Sequence, residues 1–235
     1  MADNNFRRPP RKKNVLDETK LRLSADPVSG SKRRPSLAFS VVKNNPRIDV
    51  YTNVEGDKNN GNIRAAMDAP VFFALMRLIE KSINAEPNTR FVIQNKNYKW
   101  FGQGKKSDAP INLSDTLAGK DAEGRIFISV IDKEDNSRPK IKFVFSSGYW
   151  HDLFHGNGTP FTEAEDSVLC AEAFVEMLKG LVPVVMAAEY EPPAPRDQQG
   201  GHGNKGYGGG NQGGGNSYGG QSQPSATVDF DEDIF

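Results

Sequence analysis

One cysteine, Cys170, stands in 235 residues. It has no partner for an internal disulfide, which excludes a disulfide-stapled fold and favours a reducing, cytoplasmic setting. No apolar run approaches the ~18 residues that a membrane-spanning helix requires, so no membrane association is expected. The start, Met1-Ala2-Asp3-Asn4-Asn5-Phe6-Arg7-Arg8, lacks a hydrophobic region of the signal-peptide kind. Histidine is scarce as well. His151 and His155 have helical metal-ligand spacing, but His202 falls in a glycine-rich tract and Cys170 in an expected helix, so no metal site is expected. Gly102-Gln103-Gly104-Lys105-Lys106-Ser107 lacks the spacing of a Walker phosphate loop. No Ser/His/Asp or paired-carboxylate arrangement stands out. The expectation is a protein that is not an enzyme and carries no cofactor.

What is present is charge, unevenly placed. The formal net charge is zero, yet residues 1–110 hold 21 Lys/Arg against 11 Asp/Glu. Residues 111–189 hold 7 against 13, and residues 190–235 hold 2 against 6. A basic half, an acidic half and an acidic tail suit a polyanion binder with a recruiting or autoinhibitory tail.

Glycine is concentrated near the end: 12 of the 21 residues from Gly200 to Gly220. Such a tract cannot bury enough apolar surface to offset its ordering entropy, so residues 191–228 are expected to form a flexible linker. It leads to Asp229-Phe230-Asp231-Glu232-Asp233-Ile234-Phe235, where four carboxylates accompany three large apolar side chains. Solvation alone would not call for Phe230, Ile234 and Phe235, so residues 229–235 read as a protein-interaction tip.

This linker and tip resemble those of bacterial single-stranded DNA-binding proteins, which end in Asp-Phe-Asp-Asp-Asp-Ile-Pro-Phe. Asp229 to Ile234 match with one Asp-to-Glu exchange at Glu232, and the proline before the final Phe is absent. The resemblance covers roughly residues 198–235. It implies a protein that coats single-stranded DNA in replication, recombination and repair, and recruits partner proteins through its tip. Gly-rich segments with Tyr207 and Tyr218 also occur in RNA-binding and chaperone-like proteins. A transcriptional regulator reading duplex DNA is a third possibility, without a helix-turn-helix to support it.

Residues 1–35 are polar and basic and are expected to be a mostly disordered arm, with Lys20-Leu21-Arg22-Leu23 able to add an edge strand. The core is expected over 36–190. Leu37, Phe39 and Val41 alternate, then Ile48 and Val50, and Asn62–Met67 suits a third strand. Asp68 and Pro70 open a helix to about Asn84, with a stripe of Val71, Leu75, Leu78 and Ile79. Strands are expected at Arg90–Gln94, Tyr98–Phe101, Arg125–Ile131 and Lys140–Phe145, with a loop from Gln103 to Gly124. Thr162 and Glu165 have capping-box spacing for a second helix to about Leu181, with Ala171, Phe174, Val175 and Leu178 inward and Pro183 bending or ending it.

The order strands-helix-strands-helix predicts an α+β core of two antiparallel units, each backed by a helix. It is similar to the order of Whirly and Pur single-stranded nucleic-acid binders. The alternative is an OB-fold β-barrel with an added helix.

Strand alternation then nominates a surface. With Ile48 and Val50 inward, Arg47 and Tyr51 face outward; with Ile126, Ile128 and Val130 inward, Arg125 and Phe127 do. Lys140 and Lys142 flank inward Ile141 and Phe143. Lys96, Tyr98, Lys99 and Trp100 sit together, Lys105 and Lys106 follow, and Arg64 lies in the third strand. Cations that track phosphates and rings that stack on bases are what a sequence-tolerant single-strand binder needs. The aromatic run Ser147–His155 reads as a packing or oligomer contact, and a homo-oligomer is expected.

Overall fold

The computed structural model describes residues 13–102 and 105–192. In chain order it contains β1 (Leu23–Ser24), β2 (Ser36–Val42), β3 (Asn45–Tyr51), β4 (Asn62–Ala66) and α1 (Ala69–Ile83). There follow β5 (Thr89–Asn97), β6 (Trp100–Gly102), β7 (Lys105–Lys106), β8 (Ile111–Lys120), β9 (Ile126–Asp132), β10 (Phe143–Val144) and α2 (Glu163–Ala188). One four-stranded antiparallel sheet runs β1-β2-β3-β4 and the other β10-β9-β8-β5, while β6 and β7 form a separate hairpin. The expected α+β fold, strands then helix twice over, is what the chain adopts. Neither sheet closes into a barrel, which removes the OB-fold alternative.

Register explains the core. Leu37 pairs with Val50 and Phe39 with Ile48, and the same rows continue to Ile63 and Ala65 on β4. In the second sheet Ala118, Ile128 and Phe143 form one row. These rows meet a helical layer in which Phe72, Leu75, Met76 and Ile79 of α1 and Ala171, Val175, Leu178 and Val182 of α2 are buried. Phe174 lies between the rings of Phe39 and Phe145, at 5.7 and 5.6 Å. Each large side chain so buried contributes about 1.5–3 kcal/mol. The stripe of α1 is rotated from the expected one: Val71 is exposed and Leu78 half-buried, with Phe72 and Met76 in their place.

Thr162 and Glu165 close the capping box that their spacing predicts. The helix they open does not stop at Leu181. Pro183 lies inside it, on the exposed side, and the helix continues to Ala188 because Val182 and Val185 are buried against the core. No helix among the described residues is long and apolar enough to cross a membrane.

Three expectations are corrected. The loop expected over 103–124 contains β7 and the ten-residue β8, which pairs with both β5 and β9. Its polar residues hid it: Asn95 Nδ2 donates to Ser114 Oγ at 3.2 Å and to Thr116 Oγ1 at 3.0 Å, so a buried strand can carry them. Of Lys140–Phe145 only Phe143–Val144 pairs. The arm expected to be disordered to residue 35 joins the fold from Lys13 on. Leu16, Leu23 and Ala25 belong to the core, and the edge strand is Leu23–Ser24 rather than Lys20–Leu23.

Candidate nucleic-acid interface

On the solvent face of the first sheet, β3 and β4 place Asp49 opposite Arg64 and Arg47 opposite Ala66. Arg64 Nε donates to Asp49 at 3.0 Å, and Ser40 Oγ donates to the other oxygen of that carboxylate at 2.9 Å. Asp49 lies on that face but is buried beneath its partners. One nitrogen of Arg64 is thus fixed, while its side chain stays 61% exposed and reaches the sheet's edge.

Beyond that edge lies the second sheet. A groove of about 580 Å³ runs between them, lined by Asn45, Arg47, Arg64 and Val71 on one side and by Ile93–Asn97, Leu113 and Ser114 on the other. A depression of about 510 Å³ continues it past Asn59, Asn60, Asn62, Asp132, Glu134 and Arg138, sharing Arg64, Leu113 and Ser114 with the first. The lining combines cations, amides and the carboxylates of Asp68, Asp132 and Glu134 with a small apolar floor of Val71, Ile93 and Leu113. Among the described residues Arg47 and Lys96 have no ion-pair partner, whereas most buried cations in this protein are neutralised.

The far end of the groove is rigid. Asn59, Asn60 and Gly61 are successive left-handed residues, with φ of 53°, 54° and 73°. Asparagine tolerates that region, and Gly61 is required there because a Cβ would meet Thr52 Oγ1 at 2.8 Å. Arg138 holds the loop. It forks onto Asp57, donates to Asp132 at 3.0 Å, and bonds the carbonyls of Lys58 and Asn62. Burial works against ionisation of Asp57, but hydrogen bonds from Arg138 and Thr52 outweigh it and hold the carboxyl below its usual range. Asn62 Nδ2 is buried at the groove without an acceptor.

The hairpin that follows β5 is anchored at its base, where Lys99 Nζ reaches Glu134 at 2.8 Å and the Lys99 carbonyl accepts from Ser107 N. Lys106 Nζ sits 4.3 Å over the Tyr98 ring, and Phe101 is exposed. Lys105 is exposed, and the Trp100 backbone pairs with Lys106.

The nominated residues therefore divide. Arg47, Arg64 and Lys96 come together in the groove, with Tyr98, Lys99, Lys105 and Lys106 on the adjoining hairpin. Tyr51 lies at the other end of β3, half-buried under Arg22 at 5.8 Å. Phe127, expected outward, is fully buried across Gly119; its face of the sheet is covered as well. Arg125 is not free to meet phosphates, being bound to Asp121, Glu123 and Glu163 at 3.0–3.3 Å. Lys142 shares Asp121 at 3.0 Å. Burial raises the Asp121 carboxyl, but the Arg125 backbone N–H, Lys142 and the Arg125 side chain lower it further. Lys140 is exposed outside any strand. The tip residues lie outside the described residues.

The groove amides were not foreseen; the only trace of them in the sequence is the run Asn59-Asn60-Gly61. No cluster able to hold a metal ion occurs among the described residues. The Cys170 thiol is pushed up to about 12 by burial and by Asp166, which disfavours a thiolate nucleophile.

Fold and site together define a two-sheet α+β protein with a cationic, amide-lined groove between two edge strands. No protein-family description matches the chain, and comparison with curated proteins and with solved structures finds no similar one.

Proposed function

We propose that this protein binds single-stranded DNA with little sequence preference, and recruits replication and repair proteins through residues 229–235. The observation that carries the reading is the groove in which Arg47 and Lys96 stand uncompensated beside Arg64. Phosphates track these cations. Bases lie against Val71, Ile93 and Leu113 and stack on the exposed rings of Tyr98 and Phe101, each stacked base contributing about 1–3 kcal/mol. Amides that both donate and accept meet any base edge, which favours tolerance over readout.

The test is anisotropy titration of oligo(dT), a matched RNA and a matched duplex. Single-stranded DNA should bind most tightly, and Arg47→Ala with Lys96→Ala should weaken it about tenfold or more. Preference for duplex would turn the reading toward a regulator, and preference for RNA toward an RNA chaperone. Deleting residues 229–235 should tighten DNA binding at low salt, as expected if the acidic tip competes for the groove.

A further inference from the structure

The most exposed aromatic pair of the described residues is not part of that groove's lining. Tyr149 and Trp150 are 88% and 84% exposed, yet their rings meet edge to face at 4.9 Å. The loop presenting them is not loose. Ser147 N donates to both carboxylate oxygens of Asp166, Ser147 Oγ donates to the His151 carbonyl, and Phe161 N donates to the Leu153 carbonyl. His155 stacks on Phe161 at 4.4 Å. A rigid Tyr-Trp pair held in water is the composition of an interface hot spot.

Its surroundings choose the partner. From Phe143 to Leu178 the sequence has no Lys or Arg against six carboxylates. Glu163 is paired with Arg125 and Glu176 with Lys179, which leaves Asp152, Glu165, Asp166 and Glu172 without a Lys or Arg partner among the described residues. A nucleic acid would be repelled, and a cationic segment attracted. Such a segment exists in this chain outside the described residues. Arg7-Arg8-Pro9-Pro10-Arg11-Lys12 offers guanidinium groups for the ring faces and prolines that pack flat on aromatics.

Distance decides whether the segment comes from the same molecule. It joins the fold at Asn14, whose Nδ2 donates to Glu189 at the C-terminal end of α2. The aromatic loop is pinned to Asp166 at the N-terminal end. Asp166 and Glu189 are separated by about 34 Å, for 23 residues at ~1.5 Å each. Arg7 lies seven residues before Asn14, which even fully extended spans only about 25 Å. We propose that the Tyr149–Trp150 loop is the docking surface for the basic, proline-containing residues 7–12 of a second copy of this chain. Donor and acceptor lie at opposite ends of α2, so each copy offers one arm and one loop and the contact links copies into oligomers.

A labelled peptide spanning residues 5–14 should bind the full-length protein without nucleic acid, and about tenfold more weakly after Tyr149→Ala with Trp150→Ala, a loss of about 1.4 kcal/mol. In sedimentation at low salt the wild-type mass should rise with concentration. It should fall toward the monomer in that double variant and in Arg7→Glu/Arg8→Glu/Arg11→Glu. Both substitutions are on exposed or external residues, and circular dichroism verifies folding. Absence of peptide binding, equal binding to the double variant, or a monomeric wild type at every concentration overturns the proposal. So does a double variant that loses oligo(dT) while keeping the peptide, which would make the loop a base-stacking surface. Because the peptide and mass readouts use no DNA, their failure is distinct from failure of the groove.

Discussion

Arg138 donates from Nε and Nη2 to the two carboxylate oxygens of Asp57 at 2.9 and 3.0 Å, joining residues 81 apart in the chain. Both side chains are almost wholly buried. The pair ties the loop after β3 to the loop after β9, and so fixes one sheet against the other beside the groove. Arg138→Met should leave Asp57 and Asp132 buried without their cation. The expected cost is about 3–5 kcal/mol in chemical denaturation. Arg138→Lys should recover little, since an ammonium cannot reproduce the fork.

Acid should undo the same tie. The Asp57 and Asp121 carboxyls are held below their ordinary values, so their stabilisation is complete above the unfolded carboxylate pKa. It is lost as pH falls through about 4 toward the lower folded values. Denaturation midpoints should therefore be flat above about pH 5 and drop below about 4, and Asp57→Asn should shrink the drop. A wild-type midpoint unchanged at pH 3 would contradict this.

Lys142 and Arg47 were nominated on the same grounds, yet they should behave differently. Arg47→Ala should reduce the salt slope of oligo(dT) binding by about 0.7 with unfolding unchanged. Lys142→Ala removes a partner of Asp121; it should lower stability and leave the slope where it was.

Phe127→Ala should cost about 3–5 kcal/mol, as expected for emptying a buried aromatic site. Gly119→Ala should destabilise the same place from the other side. Its Cβ would lie 2.4 Å from the Thr89 carbonyl oxygen and 3.0 Å from the Phe127 ring. Thermal unfolding of the two variants measures both.

These contrasts show where the sequence was readable. Where one strand face carries the large apolar side chains and the other small or polar ones, as at Leu37–Val41 and Ile48–Val50, alternation reports the true register. In β9 both faces are covered, so Phe127 and Ile131 are buried alongside Ile128 and Val130, and period alone cannot say which ring is outward. The strand β8 escaped notice because its Ser, Asp and Thr are satisfied by neighbours remote in sequence. The cations divide for the same reason: Arg125 and Arg47 look alike until the carboxylates around each are in place. The groove amides left almost no trace because an asparagine in a strand edge reads like one in a loop.

The groove is bounded by β4 and β5, and each is the outermost strand of its sheet. An outermost strand offers unpaired backbone groups to any passing chain and is where sheets of separate molecules fuse. Here the register shift at Asn95 and Lys96, where the ladder skips Leu113 of β8, and the Lys96 charge are the guards on β5. A polyanion lying between the two strands would cover both edges at once. Occupied protein should then resist aggregation at concentrations where empty protein, and above all a variant without Lys96, clouds the solution.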